Sequence, residues 1–139
     1  MNILVVDDET DMKSLFEQRF RKEIRDGSIH FAFANSGEEA IAYMNDHFHE
    51  AVLILSDINM PKLNGIELRE KINNNEELRL KCIPYLFFST SAEQNHVVDA
   101  YSKSVQGFFV KPSKYENLKR IIKIIVDYWQ ECESPNYIK

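Results

Sequence analysis

Short apolar runs alternate along the chain with longer segments of mixed polarity. Each run is four to six residues long and is bounded by polar or turn-forming residues, as buried strands are. The runs are ILVV (3–6), IHFAFA (29–34), AVLIL (51–55), YLFFS (85–89) and GFFV (107–110). The alternation predicts an α/β fold in which a five-stranded parallel sheet is covered by helices on both faces.

Between the runs, apolar residues recur at the spacing of one helical face. The clearest case follows the first run and consists of Met12, Leu15, Phe16 and Phe20. Three segments of the form S-x-x-E/Q predict helix starts, because the hydroxyl and the later side chain satisfy free amide groups there. They are Ser36–Glu39, Ser91–Gln94 and Ser113–Glu116. By contrast, NNNEELRLKCIP (73–84) is predicted to be a loop before strand four.

The last predicted helix, at about residues 114–131, carries a wide apolar surface. One face combines Leu118, Ile121, Ile122, Ile125 and Trp129. Ile124 and Val126 flank that face on opposite sides. One interpretation is a broad stripe that faces the core, as surface helices usually have. The other is a partner-binding edge, and the pattern leaves both open.

Composition narrows the class of protein without selecting a function. The 139 residues suit one domain, which we place at residues 1–132 with a C-terminal tail at 133–139. The formal net charge of −5 argues against sequence-independent nucleic-acid binding, which needs a basic face. We therefore expect no direct contact with nucleic acid.

Several familiar signals are missing from the sequence. The apolar runs are too short to span a bilayer, and no signal peptide is visible at the N-terminus. Cys82 and Cys132 lie far apart without CxxC spacing, so neither a disulfide framework nor a zinc site is indicated. We therefore expect a cytoplasmic domain that does not contact a membrane.

Polar side chains that could bind a ligand or take part in a reaction follow four of the five predicted strands. Asp7 and Asp8 follow strand one, Asp57 follows strand three, Ser89 ends strand four, and Lys111 follows strand five. In an open parallel α/β sheet, ligands bind beyond the carboxyl ends of the strands. We therefore expect these side chains to converge on one edge. Asp7 and Asp8 could instead cap the first helix, but that interpretation leaves the other side chains unexplained.

This set of side chains suits Mg²⁺-dependent phosphoryl chemistry. Close carboxylates repel one another, and a hard divalent cation relieves that repulsion. Mg²⁺ prefers oxygen ligands and is usually held by a few carboxylates together with a phosphate. A neighbouring lysine suits a phosphoryl oxygen, and a carboxylate can be the nucleophile by forming an aspartyl phosphate.

Four segments resemble the response-regulator receiver domains of two-component signalling. They are VVDDE (5–9), SDINMPKLNGIEL (56–68), FFSTSA (87–92) and FFVKP (108–112). They occur in the family's order, and D-x-x-M-P-x-x-x-G paired with a distant K-P is a specific signature. The resemblance covers nearly the whole chain and implies the flavodoxin-like strand order 2-1-3-4-5. No output segment follows in this sequence, so we expect the stand-alone type, and one domain of a longer chain is the alternative.

The resemblance implies a phosphoacceptor and a set of metal ligands. Asp57 would accept the phosphoryl group. Asp8 would bind Mg²⁺ directly, and Asp7 would bind it directly or through water. Asp57 itself and the backbone carbonyl of Asn59 would complete the protein ligands.

The resemblance also implies how the phosphorylated site would signal. Ser89 would bond the phosphoryl group after transfer, and Lys111 would neutralise one of its oxygens. Phe108 occupies the switch position but has no phenol, so its signal must come from packing. The resemblance also implies a cis Lys111–Pro112 bond. Independently of the resemblance, Gly65 has no side chain and should allow a tight turn or a close approach at the start of the third predicted helix.

The partners implied by the resemblance are proteins. A sensor histidine kinase or a histidine phosphotransfer protein would donate the phosphoryl group. A downstream target, or a second copy of the chain, would bind the face formed by the fourth and fifth predicted helices and strand five. Two alternatives are a Mg²⁺-dependent phosphohydrolase and a binding module that needs no phosphate. The phosphohydrolase would need a second acid at the position of Asn59.

Overall fold

Five parallel strands form the central sheet of the protein. The structure, a computed structural model, describes residues 1–46, 53–90 and 93–133. The strands are β1 (Asn2–Val6), β2 (His30–Ala34), β3 (Leu53–Ser56), β4 (Tyr85–Ser89) and β5 (Gly107–Val110). Their order in the sheet is β2-β1-β3-β4-β5, which confirms the predicted fold class. Residues 51 and 52 of the predicted third strand lie outside the described residues.

Helices connect the strands, and two of the predicted connections differ from those observed. The described helices are α1 (Asp11–Arg19), α2 (Arg21–Asp26), α3 (Gly37–Asp46), α4 (Gly65–Asn74), α5 (Glu76–Leu80), α6 (Gln94–Ser102) and α7 (Tyr115–Glu131). The first predicted helix divides at Phe20, whose ψ of 28° leaves the helical region. The predicted loop at 73–84 is wrong, because it contains α5. The Asn75 side chain accepts a hydrogen bond from the amide of Leu78 at 3.1 Å and so caps that helix.

Helix starts follow the predicted caps in part. Ser36 Oγ accepts a hydrogen bond from the Glu39 amide at 3.1 Å, as predicted. The predicted cap at Ser91 lies outside the described residues. The cap at Ser113 is wrong, because α7 begins after Lys114 without a side-chain cap. A complete capping box instead begins α4, with Asn64 and Glu67 side chains each accepting from the other's amide.

Two apolar clusters lie on opposite faces of the sheet because successive strand side chains point in opposite directions. Leu4 and Val6 pack into one cluster with residues from α3, α4 and α6. Ile3 and Val5 pack into the other cluster with residues from α1 and α7. Burial on both faces explains why β1 is a continuous apolar run instead of an alternating one.

Helix α7 combines a buried stripe with an exposed one. Ile122, Ile125 and Val126 are buried, and Leu118, Ile121 and Trp129 pack partly buried against the same cluster. The core-facing interpretation is therefore correct for this stripe, although Val126 belongs to it and does not merely flank it. Ile124 and Tyr128 are 46% and 62% exposed, so a second apolar strip faces outward. In the part of the chain described, no helix has the length and apolar character needed to cross a membrane.

Candidate functional site

The sheet register brings the ends of the central strands level with one another. Val6 of β1 pairs with Ala34 of β2 on one side and with Ser56 of β3 on the other. The next residues along the chain, Asp7 and Asp57, therefore leave the sheet side by side. The backbone holds both of them, since the Asp57 amide donates to Val6 O at 2.8 Å and the Asp7 amide donates to Ala34 O at 3.0 Å.

Asp57 lies in a position that the backbone fixes closely. Its side chain is buried, and its Oδ1 accepts a hydrogen bond from the Ile58 amide at 2.7 Å. Ser56 Oγ donates to the Asp57 carbonyl at 2.8 Å. A Cβ on Gly65 would lie 2.0 Å from that same carbonyl oxygen. The predicted close approach at Gly65 is thus confirmed, because only glycine lets α4 begin against the backbone of Asp57.

Lys111 enters the site from the end of β5. Its amide donates to Ser89 O at 2.8 Å, which aligns it with the end of β4. The buried ammonium donates to Asp7 Oδ2 at 2.5 Å and lies 3.4 Å from Asp57 Oδ2. Glu9, an exposed carboxylate outside the predicted set of site residues, lies 4.0 Å away. Groups from the ends of three strands therefore meet at one point, as predicted.

Asp7, Asp8 and Asp57 form a group that could hold a divalent cation. Each offers one carboxylate oxygen, and these oxygens lie within 4.8 Å of one another. Asp7 and Asp57 are buried, whereas Asp8 is exposed at the mouth of the group. A set of hard oxygen donors with one open side fits Mg²⁺, which keeps part of its water shell.

The pKa shifts of Asp7 and Lys111, which form a buried ion pair, favour the binding of a cation in addition to the Lys111 ammonium. Burial raises the pKa of Asp7, and the hydrogen bond and charge of Lys111 offset only part of that rise. Burial alone would lower the pKa of Lys111, but its hydrogen bond to Asp7 and the charges of Asp7, Asp57 and Glu9 outweigh burial, so its pKa is raised. Lys111 thus stays charged. A further positive charge, in addition to this ammonium, would stabilise the ionised form of Asp7.

The two predicted switch residues lie on neighbouring strands. Ser89 is fully buried at the end of β4. Phe108 on β5 pairs in register with Phe87 on β4, and their ring centres are 5.9 Å apart. Phe108 and Phe109 are adjacent on β5, so their side chains point to opposite faces of the sheet. Both are half-buried, each against a different apolar cluster.

The remaining site predictions have mixed outcomes. Asn59 is exposed two residues after Asp57, and its role as a carbonyl ligand stays a prediction. The predicted cis bond between Lys111 and Pro112 is wrong, because no described peptide bond is cis. The trans form is the usual state of a bond before proline, and the K-P pair does not by itself override that preference.

Comparisons with known proteins define the family. A model of the response regulator receiver domain matches residues 3–123. A probable methanogenesis regulatory protein FilR2 from Methanothrix harundinacea is 30% identical over 133 residues, covering 91% of this chain and 82% of the relative. The chemotaxis protein CheY of Pseudomonas aeruginosa is 30% identical over 127 residues, covering 91% and 97%. The chain belongs to the response-regulator receiver family.

Solved structures agree with this fold. A phosphorylated cyanobacterial phytochrome response regulator, RcpA, superimposes with a TM-score of 0.85 at 24% identity, covering 96% of this chain and 97% of that one. The Mn²⁺-bound form of response regulator Rcp1 gives a TM-score of 0.82 at 24% identity, covering 95% and 96%.

The family consists of signalling switches, and phosphorylation by a kinase is typical of it. This protein is thus a phosphoaccepting response regulator.

Proposed function

We propose that Asp57 accepts a phosphoryl group from the phosphohistidine of a partner, either a sensor histidine kinase or a histidine phosphotransfer protein. The observation that carries this proposal is the position of the Lys111 ammonium, 2.5 Å from Asp7 and 3.4 Å from Asp57 in a buried site. Such a charge costs free energy to bury and has few structural reasons to lie between two carboxylates. It is well placed to neutralise an oxygen of an incoming phosphoryl group.

The transfer breaks one bond and forms another. A carboxylate oxygen of Asp57 attacks phosphorus, the bond from phosphorus to the histidine nitrogen breaks, and the imidazole leaves with that electron pair. Asp7, Asp8, Asp57 and the Asn59 carbonyl would hold Mg²⁺, which supplies charge stabilisation to the phosphoryl oxygens. The contribution of the chain is mostly positioning and electrostatics, because Asp57 and Lys111 are already fixed by backbone hydrogen bonds.

The phosphohydrolase alternative has little support. Residue 59, where a second acid would be needed, is an asparagine. Its amide cannot exchange a proton with a leaving group as a carboxylic acid does. We therefore propose that release of phosphate from small phosphomonoesters is negligible.

The phosphoryl group would change the protein through Ser89 and Phe108. Ser89 would turn towards the new phosphoryl oxygens, and Phe108 would move into the space released beside Phe87. Phosphorylation would bias an existing equilibrium between two arrangements and would not create a new fold. A reversal from 1:99 to 99:1 needs about 5.5 kcal/mol of differential stabilisation.

The surface that would carry the signal is the face made by α6, β5 and α7, here called the α6–β5–α7 face. It corresponds to the predicted fourth helix, fifth strand and fifth helix. Among the described residues, all the exposed large apolar side chains except Leu80 belong to these three elements: Val98, Tyr101, Val110, Tyr115, Ile124 and Tyr128. β5 is also an edge strand of the sheet. This concentration of exposed apolar side chains on three elements favours a protein partner, either a downstream target or a second copy of the chain.

The proposal is tested by labelling with a small phosphodonor and Mg²⁺, followed by intact-mass measurement. The wild-type protein should gain one phosphoryl group, and Asp57→Asn should gain none. Asp11→Asn is the matched control and should label like the wild type, because Asp11 is an exposed aspartate in the first turn of α1. Labelling of Asp57→Asn at the wild-type level would reject Asp57 as the acceptor. Chelation of Mg²⁺ should abolish labelling of the wild type and of the control.

A further inference from the structure

Arg69 on α4 is a buried charge that pairs with backbone carbonyls. It is 7% exposed, and none of the ion pairs found among the described residues includes it. Its Nε donates to Lys103 O at 3.1 Å, and its Nη2 donates to Ser104 O at 2.9 Å. Arginine is rarely buried unless it is paired, so this placement needs a reason beyond filling space.

The segment that Arg69 holds is the turn between α6 and β5. Ser104 in this turn has a φ of 61°, a left-handed conformation that costs energy in a residue with a Cβ. The Ser104 carbonyl also accepts from Gln106 Nε2 at 3.1 Å, and Gln106 Oε1 accepts from the Tyr85 amide at 2.7 Å. Hydrogen bonds, and not a glycine, therefore fix the conformation of the segment from which β5 starts.

Arg69 also contacts an aromatic column that ends at the switch residue. Its guanidinium lies 5.3 Å from the centre of the Tyr85 ring. The centres of Tyr85 and Phe87 are 5.2 Å apart, and those of Phe87 and Phe108 are 5.9 Å apart. Arg69 therefore touches both the packing that supports Phe108 and the turn that precedes it.

The same helix is tied to the phosphoacceptor. The Tyr85 hydroxyl donates to Gly65 O at 3.0 Å at the start of α4. Gly65 in turn packs directly on the carbonyl of Asp57. A displacement of the backbone at Asp57 would therefore reach the turn through one rigid helix, without passing through Ser89.

We propose that Arg69 is a positioning residue that joins α4 to the α6–β5 turn, so that a change at Asp57 is transmitted through α4 to the start of β5 and to Phe108. The inference rests on the proposed function, because it needs Asp57 to be the site of the change. It adds a second route to the one through Ser89.

The test is amide NMR of the protein with and without beryllofluoride plus Mg²⁺, a stable analogue of the phosphoryl group. In the wild type, resonances should shift both in the loop after Asp57 and in the turn at 103–106. In Arg69→Met, which removes both hydrogen bonds, the loop shifts should persist and the turn shifts should fall by at least half. Glu70→Gln is the matched control on the same helix. It breaks only the ion pair between Glu70 and the Lys103 ammonium, so it should keep both sets of shifts.

Each outcome decides a separate question. Full turn shifts in Arg69→Met would overturn the role of Arg69, and so would wild-type shifts confined to the loop. No shifts at all in the wild type would instead contradict the proposed function. If Arg69→Met does not fold, Arg69→Lys serves in its place, because an ammonium keeps the charge but cannot span both carbonyls in one plane. Its turn shifts should also be reduced, and full shifts would overturn the inference.

Discussion

The edge of the sheet at which the strands end, here called the carboxyl edge, differs from the α6–β5–α7 face in what it buries and what it exposes. At the edge, charged groups are buried and held by backbone hydrogen bonds, as Asp57 and Lys111 show. On the face, apolar side chains such as Val110 and Ile124 are exposed. Burial of charge at the edge costs folding free energy but fixes a chemical site. The face leaves apolar surface for a partner to cover. Substitutions in the two regions should therefore fail in different ways.

The largest expected effect is at the edge, where Lys111→Met should slow labelling by the phosphodonor about 10²–10³-fold. The substitution removes the ammonium that contacts both Asp7 and Asp57. Lys114→Met is the control, since Lys114 is an exposed lysine three residues later and should label at the wild-type rate. A rate for Lys111→Met within tenfold of the wild type would remove Lys111 from the mechanism.

Gly65→Ala should be the most disruptive small substitution near the edge. Its Cβ would lie 2.0 Å from the Asp57 carbonyl oxygen, so the backbone must move. We expect a loss of about 3 kcal/mol in the free energy of unfolding, measured by urea denaturation. Gly107→Ala on β5 is the control, because its Cβ would meet only the Leu86 and Phe109 side chains, at 3.2 and 3.4 Å. An equal loss in both variants would contradict a special contact at Gly65.

Two adjacent isoleucines of α7, one buried and one exposed, allow the effects of burial and exposure on stability to be compared. Ile125 is 1% exposed, and Ile125→Ala should cost about 2–5 kcal/mol of unfolding free energy. Ile124 is 46% exposed, and Ile124→Ala should cost no more than about 0.5 kcal/mol. Ile124→Ala should instead weaken self-association or partner binding after beryllofluoride is added. Similar stability losses in the two variants would mean that the face is already covered in the free protein.

The smallest expected effect is at the turn between α6 and β5. Ser104→Gly should raise the free energy of unfolding by about 1 kcal/mol, because glycine adopts a φ of 61° without the cost of a Cβ. Ser102→Gly, at the last residue of α6, should lower it by up to about 1 kcal/mol. Thermal unfolding of both variants shows whether each substitution raises or lowers the free energy of unfolding. A loss in Ser104→Gly would show that the serine side chain itself stabilises the turn.

The sequence predicts the edge better than it predicts the rest of the molecule. Apolar runs locate buried strands, and parallel strands place the residues that follow them on one edge, so the strand pattern alone groups Asp7, Asp57 and Lys111. Glu9 was missed because its distance from Lys111 depends on the path of the loop and not on the strand pattern. The cytoplasmic location and the boundary at residue 132 stay predictions.

Contacts between helices and strands are harder to predict from the sequence than the strands themselves. Arg69 reads as one more polar residue on an amphipathic helix, and only the fold shows that it reaches carbonyls 34 and 35 positions away. Helix α5 was missed because five residues give too short a repeat for a periodic pattern, although Asn75 is a usable capping signal. Likewise, a lysine before a proline does not determine the isomer of the bond between them.

Asp57 is the carboxylate that we propose receives the phosphoryl group. Borohydride reduces an aspartyl phosphate to homoserine, so reduction after treatment with phosphodonor and Mg²⁺, followed by peptide sequencing with mass spectrometry, identifies the acceptor directly. We expect homoserine at residue 57 alone, and none when Mg²⁺ is chelated. Homoserine at residue 7 or 8, or a phosphoryl group recovered on another type of side chain, would contradict it.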